Sequence, residues 1–203
     1  VFVEFAVNDK NFSYEASKHA SEGIVRIIRK AYPECDICFV YTAIDSNYKA
    51  MADGRNPGIY TAKEEIAKYY NLPSLFIFKD VLELYKKGKL ELKVPPTKIH
   101  DGNGAEFGIA RPVRITPAGK MAFSADGTHP YEEGHRLYSN VFRHFFESLR
   151  KESGNKLTDY TLPKPLDPKN YSAWKSLAPA AKGIVLNGKY EVVDKNQFDI
   201  LPF

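Results

Sequence analysis

Three short apolar runs alternate with helical stretches through the first ninety residues, and that alternation sets the fold class. The first run, Val1-Phe2-Val3-Glu4-Phe5-Ala6-Val7, is almost continuously apolar, as in a strand buried on both faces of a parallel sheet. Residues 13–31 carry Ala16, Ala20, Ile24, Ile27, Ile28 and Ala31 on one side, with Lys18, Glu22, Arg26 and Lys30 largely on the other, ahead of Pro33. That spacing predicts an amphipathic helix. Residues 37–43 (ICFVYTA) predict a second buried strand, 61–71 a helix with Thr61 as N-cap, and 75–78 (LFIF) a third strand. Asp80 then caps a helix over 81–87, stopped by Lys86-Lys87-Gly88. Strand–helix repeats of this kind pack as an α/β layer structure around a parallel sheet.

Open α/β sheets place their ligands at the carboxyl ends of the strands. Here the first strand runs into Asn8-Asp9, and the second into Asp45-Ser46-Asn47 and a loop long enough to wall a pocket. Asn-Asp is also an ordinary turn pair. Glu4 shares the pleat face of Asn8 and needs a partner if buried.

Residues 94–123 are dense in Pro and Gly around short apolar pieces, which predicts a short hairpin or an ordered loop. They lead into Ser124-Ala125-Asp126-Gly127-Thr128-His129-Pro130. Gly127 permits a tight turn that folds the Asp126 carboxylate onto Nδ1 of His129, and Pro130 predicts a helix start with His129 at its N-cap. Nε2 is then left facing a pocket, and such a pair is two thirds of a nucleophilic triad. His100-Asp101 is a weaker acid/base pair, because adjacent side chains in an extended loop point apart. Residues 131–151 form the clearest helix, with Leu137, Val141, Phe145 and Leu149 flanked by Tyr138, Phe142 and Phe146. His129 and His135 are separated by about 600° of helix rotation, so their spacing does not make a zinc motif. Neither a metal nor a cofactor is expected.

The net charge of +4 is mild and its basic residues are scattered, which gives nucleic-acid binding little support. No apolar run approaches the roughly 18 residues needed to span a bilayer. Cys35-Asp36-Ile37-Cys38 leads into a strand rather than a helix N-terminus, so Cys38 reads as structural and Cys35 as incidental. In the tail, Leu162-Pro163-Lys164-Pro165-Leu166-Asp167-Pro168 is a stiff linker-like piece. Asn187-Gly188 within residues 184–193 predicts a hairpin that packs on the α/β body, through Trp174, or begins a further β domain.

With these motifs located, the chain resembles the SGNH/GDSL hydrolases, esterases with a flavodoxin-like three-layer α/β/α fold. The matching pieces are Ala6-Val7-Asn8-Asp9 at a strand end and Asp126-Gly127-Thr128-His129-Pro130 before the last helix, followed by Gly134-His135. The family usually has Gly where this chain has Ala6. The resemblance covers about residues 1–152, leaving 153–203 as a linker and β-rich extension. It implies Asn8 as an oxyanion donor, His129 as general base and then acid, and Asp126 as its orienting carboxylate. It also implies a nucleophilic Ser in a Gly-Asp-Ser turn ahead of the Asn-bearing strand. Ser13, Ser46, Ser74 and Ser124 lack that context, so the nucleophile is not present in this chain. The first strands of the sheet are then missing too, and the apolar edge from Val1 to Val7 is expected to be covered by a missing segment or a second chain.

The implied activity is hydrolysis of carbohydrate O-acetyl or other short acyl esters. The alternative is a non-catalytic glycan-binding module with an incomplete triad, for which 13 Tyr, 13 Phe and one Trp supply stacking surface. A nucleotide or phosphate binder of the same fold class would need a Gly-rich phosphate loop, and the visible strands have none.

Overall fold

The computed structural model describes residues 1–100, 106–152 and 161–173. The chain divides into two units, Val1–Ser172 and Ala173–Phe203. Trp174 and the hairpin expected at 184–193 therefore lie outside the described residues, as does Asp101.

The first unit has the α/β architecture that the alternation predicts. Strands β1 (Phe2–Val3), β2 (Cys38–Tyr41) and β3 (Ser74–Phe76) form a parallel sheet in the order β1-β2-β3. Phe2 pairs with Cys38, and Phe39 with Ser74. Helix α1 (Tyr14–Ala31) joins β1 to β2, and α2 (Asp45–Ala52) and α3 (Gly58–Tyr69) lead to β3. Helices α4 (Lys79–Lys86) and α5 (Glu132–Glu152) follow. The helices fall into two groups, with α1 packed on α3 and α4 packed on both α2 and α5. Between them lies a core of β2 and its neighbours, including Phe39, Tyr41, Tyr48, Tyr60, Ile66, Val81 and Phe123.

Several boundaries differ from the expected ones. The first strand is only two residues long, because Glu4 leaves the ladder and bonds sideways. Its Oε1 accepts from Thr42 Oγ1 at 2.7 Å and from the Ala6 amide at 3.0 Å, which gives Glu4 its partner and turns the chain. Nor is this strand buried on both faces. β1 is the outer strand, and Val1, Phe2 and Phe5 are exposed. The Phe2 ring meets Phe142 and Phe146 of α5 edge-on, so strand edge and helix share one apolar flank. Helix α3 begins at Gly58 behind Pro57, so Thr61 lies inside the helix rather than capping it. Asp80 likewise sits in the first turn of α4, with Phe78 at the cap. Cys38 behaves as a structural residue: burial pushes its thiol up to about 11, and both cysteines are free.

Between α4 and α5 the chain forms β4 (Leu90–Glu91), the antiparallel hairpin β5 (Thr97–His100) and β6 (Glu106–Arg111), and β7 (Met121–Ala122) parallel to β4. Phe123 N bonds Glu91 O at 2.9 Å and Val94 N bonds Ser124 O at 2.8 Å. This second ladder delivers the chain to the Ser124–Pro130 loop in a fixed register.

Residues 161–172 form a strap over α1 and α3. Glu22 is fully buried and its carboxylate accepts from Leu166 N (2.6 Å), Asp167 N (2.9 Å) and Tyr70 Oη (2.6 Å). Arg26 Nη1 donates to Pro163 O at 2.7 Å. Leu162 to Pro168 is thus a docked segment.

Candidate functional site

The loop from Ser124 to Pro130 is built by a small set of side-chain-to-backbone bonds. Ser124 is fully buried, its Oγ accepts from the amides of Asp126 (3.2 Å) and Gly127 (3.0 Å), and it donates to Asp126 Oδ1 at 2.8 Å. Asp126 Oδ1 also accepts from Thr128 N (2.8 Å) and His129 N (2.9 Å), an Asx-type turn. With Oδ1 saturated, Oδ2 is left for His129 Nδ1 at 2.6 Å. Three residues thus lock both the carboxylate and the imidazole. The bonds from His129, then from the amides of His129 and Thr128, hold the Asp126 carboxyl well below the usual carboxylate range.

The expected N-cap does not form. Pro130 pairs with Ser124 in an antiparallel bridge that closes the loop, Tyr131 N bonds Phe123 O at 2.7 Å, and α5 begins only at Glu132. His129 therefore projects from a loop, its side chain 86% exposed, rather than facing a pocket.

Two glycines make the placement possible. At Gly134 a Cβ would lie 2.7 Å from Pro130 Cβ and 2.8 Å from the Phe123 ring, so the loop rests directly on the first turn of α5. At Gly127 the backbone has φ +87°, and a Cβ would lie 2.8 Å from Asp45 Cβ. Gly127 O accepts from Asp45 N at 2.9 Å, which fixes the loop to the carboxyl end of β2. Gly127→Ala is therefore expected to cost about 2 kcal/mol, since left-handed backbone alone costs a non-glycine residue about 1–2. A drop of the urea midpoint at unchanged m-value checks this.

Asn8 lies at the same end of the sheet, one strand over, exposed in the turn that follows β1. No hydrogen bond joins it to Asp126 or His129 among the described residues. Its neighbour is held firmly. Asp9 Oδ2 meets Lys63 Nζ at 2.7 Å with both side chains nearly buried, and Lys63 Nζ also lies 3.3 Å from Ser21 Oγ. The sequence did not single out Lys63; its only signal is a lysine among the apolar positions of α3. Among the described residues His129 has Asp126 as its ring partner and no serine hydroxyl on Nε2. Ser124, close in sequence, is spent on the loop itself. His135, the other member of the zinc-like spacing, is exposed on α5.

No family model matches the chain, and no curated protein matches it significantly. Among solved structures it is similar to a two-domain esterase active on acetylated mannans, crystallised with mannopentaose. The TM-score is 0.52 at 23% identity, over 85% of this chain. The likeness is one of fold. The chain spans 35% of that protein's length. No helix among the described residues is long and apolar enough to cross a membrane.

Proposed function

We propose that this chain carries the acid/base half of an SGNH-type serine ester hydrolase acting on carbohydrate O-acetyl or other short acyl esters. The 2.6 Å contact between Asp126 Oδ2 and His129 Nδ1 carries the proposal, because it fixes the tautomer with Nε2 as the basic nitrogen. His129 Nε2 takes the proton of a serine hydroxyl as its oxygen bonds to the ester carbonyl carbon. It then returns that proton to the departing sugar oxygen. In the second half-reaction it deprotonates the water that releases acetate. The Asn8 side-chain amide serves as an oxyanion donor, a contact whose loss typically costs about 10²–10³ in rate. The fold shared with an esterase of acetylated mannans supports a polysaccharide ester as substrate. The serine comes from a segment or chain beyond the described residues.

The open position of His129 favours a second reading, a glycan-binding module with an incomplete triad. Hydrolysis of p-nitrophenyl acetate and acetylated mannan by the full-length gene product separates the two. The enzyme predicts turnover that His129→Ala reduces by about 10⁶-fold. Absence of turnover in the wild type, with retained affinity for mannan, would replace it with the binding module.

A further inference from the structure

Outside the candidate ester site, one cluster brings together three metal-compatible side chains from two separate parts of the chain. Glu15 and His19 stand one turn apart on α1, and Asp167 reaches them from the strap, with donor atoms of all three within 4.8 Å of one another. His19 Nε2 lies 2.9 Å from Asp167 Oδ2 and 3.8 Å from Glu15 Oε2. An ion with bonds of about 2.1 Å in tetrahedral geometry holds its donors about 3.4 Å apart, and these two distances bracket that value.

The donors are also oriented as ligands are. Asp167 Oδ1 accepts from Lys169 N at 2.8 Å and Asp167 N is held by Glu22, so Oδ2 alone is presented to His19. The His19 ring rests edge-on against Tyr171, which limits its rotation. Fixation of the carboxylate and ring by outer groups is the usual support of a metal centre. Lys18, the nearest cation in sequence, is paired with Glu65 at 2.6 Å. As metal ligands, two carboxylates and an imidazole bring a charge of −2, which a divalent ion balances.

We propose that Glu15, His19 and Asp167 form a site for a divalent first-row ion, zinc in preference, which clasps the strap to α1. One imidazole with two carboxylates suits zinc better than calcium or magnesium, which take all-oxygen sets. The ion replaces the direct His19–Asp167 hydrogen bond, His19 carrying its proton on Nδ1, and a water completes the fourth position.

Isothermal titration of the full chain with zinc chloride in a non-chelating buffer near neutral pH tests the site. Expected are one saturable site and a rise in the thermal midpoint. Zinc binding is expected to weaken about 10-fold in Glu15→Gln and about 100-fold in His19→Ala and Asp167→Asn, at least as much as loss of an outer-shell partner costs. Glu15 is exposed, so Glu15→Gln keeps the fold and isolates the loss of a ligand. Cobalt in place of zinc is expected to give the visible bands of a low-coordinate ion. No uptake by the wild type overturns the proposal. So does uptake unchanged in all three variants, which would place the zinc on other histidines. Neither result bears on Asp126 or His129.

Discussion

Replacing Glu22 by Ala is expected to lower the stability of the chain by about 3–5 kcal/mol, with a fall of roughly 10 °C in thermal midpoint. Glu22 is a fully buried carboxylate whose two oxygens accept from two strap amides and the Tyr70 hydroxyl. Its removal leaves those donors without an acceptor in the interior, and hydrogen bonds to a charged group contribute about 1.5–3 kcal/mol each. Leu166 and Asp167 lose their hold, so protease cleavage within residues 161–172 should accelerate along with the loss of stability. Glu22→Gln keeps one acceptor and the side-chain shape, and should cost about half as much. No loss in Glu22→Gln would show that packing, not the carboxylate, secures the strap.

The second large effect concerns the dyad. On the proposed ester-hydrolase reading, Asp126→Asn is expected to reduce kcat about 10⁴-fold with little change in KM, because an amide at this position accepts poorly from Nδ1–H and favours the wrong tautomer. The same carboxylate supports the loop, and its pH dependence has a definite sign. Its folded pKa is depressed, so the stability it lends is complete above the ordinary Asp value of about 3.9 and is lost as pH falls through the lowered folded value. The loop should therefore persist at pH 4 and loosen only in stronger acid. A side-chain NMR titration midpoint for Asp126 at or above the ordinary value would contradict this.

What the sequence made legible was local. Helix α5 follows from its apolar stripe, and β2 and β3 from short apolar runs; α1 was legible as a helix but not in its buried face, because Glu22 and Arg26 turn inward to the strap while Ile27 is exposed. The Asp126–His129 contact was legible too, since three residues and a glycine settle it. Helix α2 was not, because Asp45–Ala52 buries Tyr48 alone and shows no stripe. The first strand was overextended, since its apolar run gave no sign that Glu4 would turn to Thr42, 38 residues away. The metal-compatible group was hidden by distance along the chain, with 148 residues between His19 and Asp167. The strap contacts of Glu22 span 144 and 145 residues and were equally out of reach.

The Asp45 amide donates to Gly127 O, and to reach water it must break away from the loop that holds the dyad. Its exchange with deuterium therefore reports the opening of that loop from a residue that takes no part in the proposed chemistry. A slow Asp45 amide would mean a loop shaped in advance of any substrate, and faster exchange in Gly127→Ala would measure how much of that order one absent methyl group protects.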